Sequence, residues 1–141
     1  MLDQHVKILV IDDKRSLSEG GGWVILGTNY GVECHLVVGN TRQEIIGHLE
    51  KIFADEPERV FTGTILDIIF RGQARGGIEL WEQIEAKGWR DKFGELLVTT
   101  KLDSDEVLEF VNEQEAMLNT HLAQKHKEAV FRMFLKRCGL P

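Results

Sequence analysis

Residues 7–13 read KILVIDD. The apolar run over 6–11, interrupted only by Lys7, has the make-up of a short strand covered on both faces. It stops on two adjacent carboxylates, Asp12 and Asp13. Three further runs have strand character: 32–38 (VECHLVV), 60–66 (VFTGTIL) and 96–99 (LLVT), all rich in β-branched or apolar residues. A fifth and weaker strand falls somewhere within 117–124. The third run is followed at once by Asp67, and the fourth ends on the hydroxyl of Thr99, with Thr100 as a competitor for that place.

Between these runs the apolar spacing changes to that of a helix. Thr41 with Glu44 reads as a capping box and opens a face made by Ile45, Ile46, Leu49, Ile52 and Phe53. Ile78, Trp81 and Ile84 make another, which Gly88 stops. Asp103 with Glu106 predicts a second cap ahead of Val107, Leu108 and Val111, and a last helix carries Val130, Phe131, Met133, Phe134 and Leu135 up to Gly139. Strands alternating with helices predict a parallel α/β sheet with helices on both faces. The first inter-strand segment holds Gly20, Gly21 and Gly22. Each costs about 0.8–1 kcal/mol in a helix interior, so a helix starting late, near Trp23, is expected there. The segment lacks the lysine and spacing of a nucleotide-binding loop.

The chain has 141 residues, 43% hydrophobic and 28% charged, which fits one domain over 1–141 with ordinary globular composition. A net charge of −6 argues against direct nucleic-acid binding, which calls for a basic face. Cys34 and Cys138 lie in no metal-ligand spacing and read as buried small hydrophobes. The five histidines show no ligand spacing either. No leader or membrane-length apolar run is evident, so the cytoplasm is the expected location and no membrane partner is expected.

In open α/β sheets ligands bind outside the carboxyl ends of the strands. Asp12, Asp13 and Asp67 would converge there if the first and third strands are neighbours. Clustered carboxylates repel unless a cation sits among them, and Mg²⁺ suits a few carboxylates, waters and a phosphate oxygen. Thr99 and Lys125 could hold phosphoryl oxygens from the other side. Lys125 competes with the default reading of a surface lysine.

KILVIDD, TILDIIF (64–70) and GELLVTTK (94–101) together resemble the signatures of the CheY-like receiver domains of two-component signalling, over nearly the whole chain. The resemblance implies a flavodoxin-like (βα)5 doubly wound sandwich with a five-stranded parallel sheet in the order 2-1-3-4-5. It implies that Asp67 accepts a phosphoryl group from a histidine kinase or phosphotransfer protein. It further implies that Asp12, Asp13, Asp67 and the backbone carbonyl of Ile69 hold Mg²⁺, and that Thr99 and Lys125 complete the site. Gly77 falls on the glycine that opens the third helix. Self-phosphorylation from a phosphodonor and autodephosphorylation are the only activities implied, with a downstream protein as target and room for a homodimer. The chain departs from the pattern in four places. His126 stands where proline follows the lysine, Leu122 replaces the aromatic switch residue, the loop IIFRGQARGG (68–77) is long and basic, and the segment over 47–60 is also long. These departures keep an alternative open, a phosphorylation-independent pseudo-receiver acting as an interaction module. A flavodoxin-like cofactor enzyme would share the sheet order but has no phosphate loop here.

Overall fold

The computed structural model describes residues 6–13, 17–67, 74–100, 104–120 and 124–140, and only the backbone of 13, 17–22, 74 and 124–126. Strands and helices alternate along the chain: β1 (Lys7–Asp13), α1 (Leu17–Asn29), β2 (Glu33–Gly39), α2 (Arg42–Asp55), β3 (Gly63–Asp67), α3 (Ala74–Ala86), β4 (Glu95–Thr99), α4 (Asp105–Glu113), β5 (Met117–Asn119) and α5 (Gln124–Arg137). The sheet order is β2-β1-β3-β4-β5 and every pairing is parallel. This is the flavodoxin-like α/β arrangement expected.

Strand side chains alternate between two faces, and each face meets its own helices. Ile8, Val10, Ile65 and Leu97 pack with Trp23 and Leu26 of α1 and with Phe131 and Phe134 of α5. Leu9, Ile11, Leu66 and Val98 pack with α2, α3 and α4 through Leu49, Trp81, Ile84 and Phe110. Every strand of the centre is therefore apolar on both sides, which is why the sequence runs look continuous.

Four local expectations change. First, α1 starts at Leu17 and passes through all three glycines. Trp23 and Leu26 are each only 2% exposed, and burying a leucine alone is worth about 1.5–3 kcal/mol, so packing outweighs propensity. Further along, glycine is required outright: a Cβ at Gly27 would lie 2.4 Å from Cys34 Sγ and 3.2 Å from the Val32 carbonyl oxygen, where α1 closes on β2.

Second, α4 is capped by Ser104, whose Oγ accepts from the Val107 N–H at 3.3 Å. Asp103 lies outside the described residues. The buried residues are Val107, Phe110 and Val111, so Leu108 is 40% exposed. Third, β3 begins at Gly63 rather than Val60. The Phe61 and Thr62 N–H groups donate to the carbonyls of Lys92 and Lys7, which ties them down ahead of the ladder. Fourth, Met133 is 61% exposed. Val130, Phe131, Phe134, Leu135 and Cys138 already fill the inner face of α5, and residue 133 falls on the outer one.

The cap of α2 is the predicted Thr41, accepting from the Glu44 N–H at 3.1 Å, while Glu44 Oε2 reaches back to the Asn40 N–H at 2.7 Å. The reciprocal bond thus lands one residue before the cap. Both cysteines are free thiols, and burial pushes Cys34 up to about 11 and Cys138 up to about 12.

Gly94, just before β4, has φ +65°, and a Cβ there would meet the Thr62 carbonyl oxygen at 2.1 Å. Gly94→Ala is expected to cost about 2–3 kcal/mol. A urea titration would show this as a lower midpoint at unchanged slope; an unmoved midpoint would contradict the close approach. Among the described residues no helix is long and apolar enough to cross a membrane.

Candidate functional site

The strand register brings chemistry-bearing residues to one level. Ile11 of β1 pairs with Leu66 of β3, so the next residues, Asp12 and Asp67, leave adjacent strands together. Asp67 pairs with Thr99 of β4, and Thr99 with Asn119 of β5. On the other side Asp12 pairs with Val38. Neighbouring strands are about 4.8 Å apart, so Asp12, Asp67, Thr99 and Asn119 form a row along the carboxyl end of the sheet.

Alternation also puts them on one face. Each stands two residues beyond a side chain of the α1/α5 cluster: Val10, Ile65, Leu97 and Met117 respectively. Thr100 has the opposite parity and lies past the end of β4, with its N–H donating to the Asn119 carbonyl at 3.0 Å. The register therefore places Thr99, and not Thr100, beside Asp67.

The row is largely shielded from solvent. Asp12 is 4% exposed, Asp67 9% and Asn119 2%, while Thr99 is half-buried. Two adjacent carboxylates at this depth repel and are poorly hydrated unless positive charge compensates them. A hard divalent ion fits such a pair, because Mg²⁺ binds through one or two carboxylates and keeps several waters. The side chain of Asp13, whose backbone pairs with Gly39, lies outside the described residues, as does Ile69. Among the described residues no group of three or more metal-ligating side chains comes together, so the donor set on view is the pair Asp12 and Asp67.

The positive side turns on where β5 ends. β5 occupies only Met117–Asn119, at the start of the window expected for it. Met117 and Leu118 supply the apolar side chains that the two core clusters accept. Lys125 is the second residue of α5, and its side chain, like Leu122, lies outside the described residues. Gly77 is buried in the first turns of α3.

A different lysine is buried. Lys127 is 7% exposed, and its Nζ lies 4.6 Å from the ring centroid of Trp23 on α1. It sits on the sheet face to which Asp12, Asp67 and Thr99 belong. Cation–π contact with the Trp23 ring helps to hold such a buried ammonium in place. The sequence carried a signal for it: Lys127 precedes Val130 by three residues and Phe131 by four, the spacing of the inner helix face. The general preference of lysine for solvent hid that signal.

No family model matches the chain, and no curated protein matches it. Solved structures do. It is similar to a two-component response regulator from Clostridium difficile, with TM-score 0.64 and 18% identity, covering 96% of this chain and 100% of that one. It is also similar to the chemotaxis response regulator CheY4 of Vibrio cholerae, with TM-score 0.64 and 17% identity over 96% and 99% of the two chains. The non-phosphorylated HemR receiver domain from Leptospira biflexa matches at TM-score 0.60 and 16% identity over 96% of each. At these identities the likeness is one of fold, and the fold is that of CheY-like response-regulator receiver domains over nearly the whole chain.

Proposed function

We propose that this chain is a phosphoacceptor receiver domain that takes a phosphoryl group onto Asp67 from a histidine kinase or phosphotransfer protein and passes the signal to a downstream protein. The observation that carries this reading is the row Asp12, Asp67, Thr99, set at one level on one face of the sheet.

An Asp67 carboxylate oxygen attacks the phosphorus of a phosphohistidine. A new P–O bond forms as the P–N bond breaks, and the leaving imidazole nitrogen takes up a proton. Asp12 and Asp67, with Asp13 and the Ile69 carbonyl, are the groups that would hold Mg²⁺, which when bound offsets the carboxylate charge and polarises the phosphoryl oxygens. The Thr99 hydroxyl donates to a phosphoryl oxygen, and a lysine ammonium balances the charge that the acyl phosphate adds. Water attack on the acyl phosphate resets Asp67. The test is intact-protein mass spectrometry after incubation with a small phosphodonor and Mg²⁺. Gain of one phosphoryl mass, lost when the metal is chelated, supports the reading. No gain under any donor leaves the interaction module, which needs neither metal nor donor.

The identity of the lysine is separable. Lys127 is the ammonium whose burial and placement suit the role, and Lys125 is the one the resemblance implies. Lys127→Met keeps the aliphatic cover over Trp23 while removing the charge. It is expected to lower phosphoryl occupancy about tenfold to a hundredfold, with Lys125→Met close to the parent. The reverse ranking would reassign the role to Lys125.

A further inference from the structure

We infer that a second copy of this chain docks along β2, edge to edge, joining two five-stranded sheets into one. This stands apart from the phosphoacceptor reading and does not rest on it. β2 is an end strand, so among the described residues nothing pairs with its outer side. Alternate residues of a parallel strand turn their N–H and C=O groups away from the one neighbour. β2 has seven residues, whereas the opposite edge strand, β5, has three. Proteins usually blunt a long free edge with proline, lysine or a bulge. ECHLVVG has no proline or lysine, its register with β1 is unbroken, and its one charge, Glu33, sits at the first residue. A groove of about 330 Å³ runs between this edge and α2, lined by Leu36 and Val38 of the strand and by His48, Lys51 and Asp55 of the helix.

Charge and spacing select the occupant. Glu44, His48 and Lys51 follow one another at helical spacing along one face of α2. Glu44 and Lys51 are exposed, and neither joins an ion pair among the described residues. Both β2 and α2 are about 20 Å long, and they run antiparallel from the short 40–41 connection. A twofold axis through Leu36, the middle of β2, is therefore level with the middle of α2. It sets Lys51 of one copy opposite Glu44 of the other, and does so twice. An unrelated peptide strand could satisfy the backbone edge but would have no reason to match both charges.

The test is sedimentation velocity on the full chain across a concentration series, with hydrogen exchange read over residues 33–39. A dimer is expected, with exchange at 33–39 slowing as concentration rises. Lys51→Glu should weaken dimerisation about tenfold or more, and Lys51→Glu with Glu44→Lys should restore it. Lys51 is exposed and takes no part in the cap, so circular dichroism of Lys51→Glu should be unchanged, while Glu44→Lys, which forfeits the bond to the Asn40 N–H, is measured alone as the control for the double variant. A monomer at every concentration would overturn the inference. So would a dimer that ignores the charge series or leaves exchange at 33–39 unaltered, which would place the contact elsewhere.

Discussion

Asp67→Asn is expected to abolish phosphoryl uptake from any donor while leaving the fold intact. Asparagine has nearly the shape of aspartate, so the pairing of residue 67 with Thr99 and the burial of β3 are kept. What is lost is the nucleophile: an amide oxygen forms no stable acyl phosphate. The stability effect should be small or favourable, because Asp12 stands at the same level on the next strand and loses a like-charged neighbour. Relief of such repulsion at a largely buried site is worth about 1 kcal/mol. Intact mass and a urea titration on the same sample separate the two effects. Phosphoryl mass persisting in the variant would mean that another group is the acceptor, and a collapsed fold would mean that the carboxylate is structural.

Trp81→Ala is expected to give the largest loss of stability, about 3–5 kcal/mol. Trp81 is completely buried in the α2/α3/α4 cluster, stands edge-on to Phe93 at 5.5 Å, and lies under the Arg90 guanidinium at 5.2 Å. Truncation removes all three contacts and leaves a cavity that the sheet behind it cannot close. Against a typical total of about 5–15 kcal/mol this brings the chain near its unfolding threshold. Trp81→Phe should cost much less, since the buried indole Nε1 has no hydrogen-bond partner among the described residues. Urea midpoints of the two variants check this; equal losses would mean that ring size is irrelevant at that position.

The strands could be read because each central one buries both faces, so that apolar runs mark them without any knowledge of partners. The carboxylates could be read because they stand where those runs stop. What could not be read was any feature set by tertiary contact. Three successive glycines argue against a helix locally, and only the groove waiting for Trp23 and Leu26 reverses that preference. Ser104 and Asp103 are equally good caps by residue type, and the burial of Phe110 selects between them. Thr99, favoured over Thr100 by where the LLVT run ends, is set beside Asp67 by the register with β3. A lysine on the inner face of a helix, such as Lys127, runs against the preference of that residue type for solvent, although its spacing from Phe131 marks that face. Lys125 is implied by the resemblance alone, and with β5 three residues long its backbone falls in the first turn of α5.

The shared parity of Asp12, Asp67 and Thr99 has a consequence for how this chain can vary. A strand that gains or loses one residue ahead of its last position turns that terminal side chain to the other side of the sheet. A single-codon deletion within β3 would thus deliver the carboxylate of residue 67 among the apolar side chains of α3 and α4, without altering any residue type. Length changes inside these strands are tolerable only in pairs, so spacing from the preceding core residue, more than identity of the neighbours, is what inheritance must conserve here.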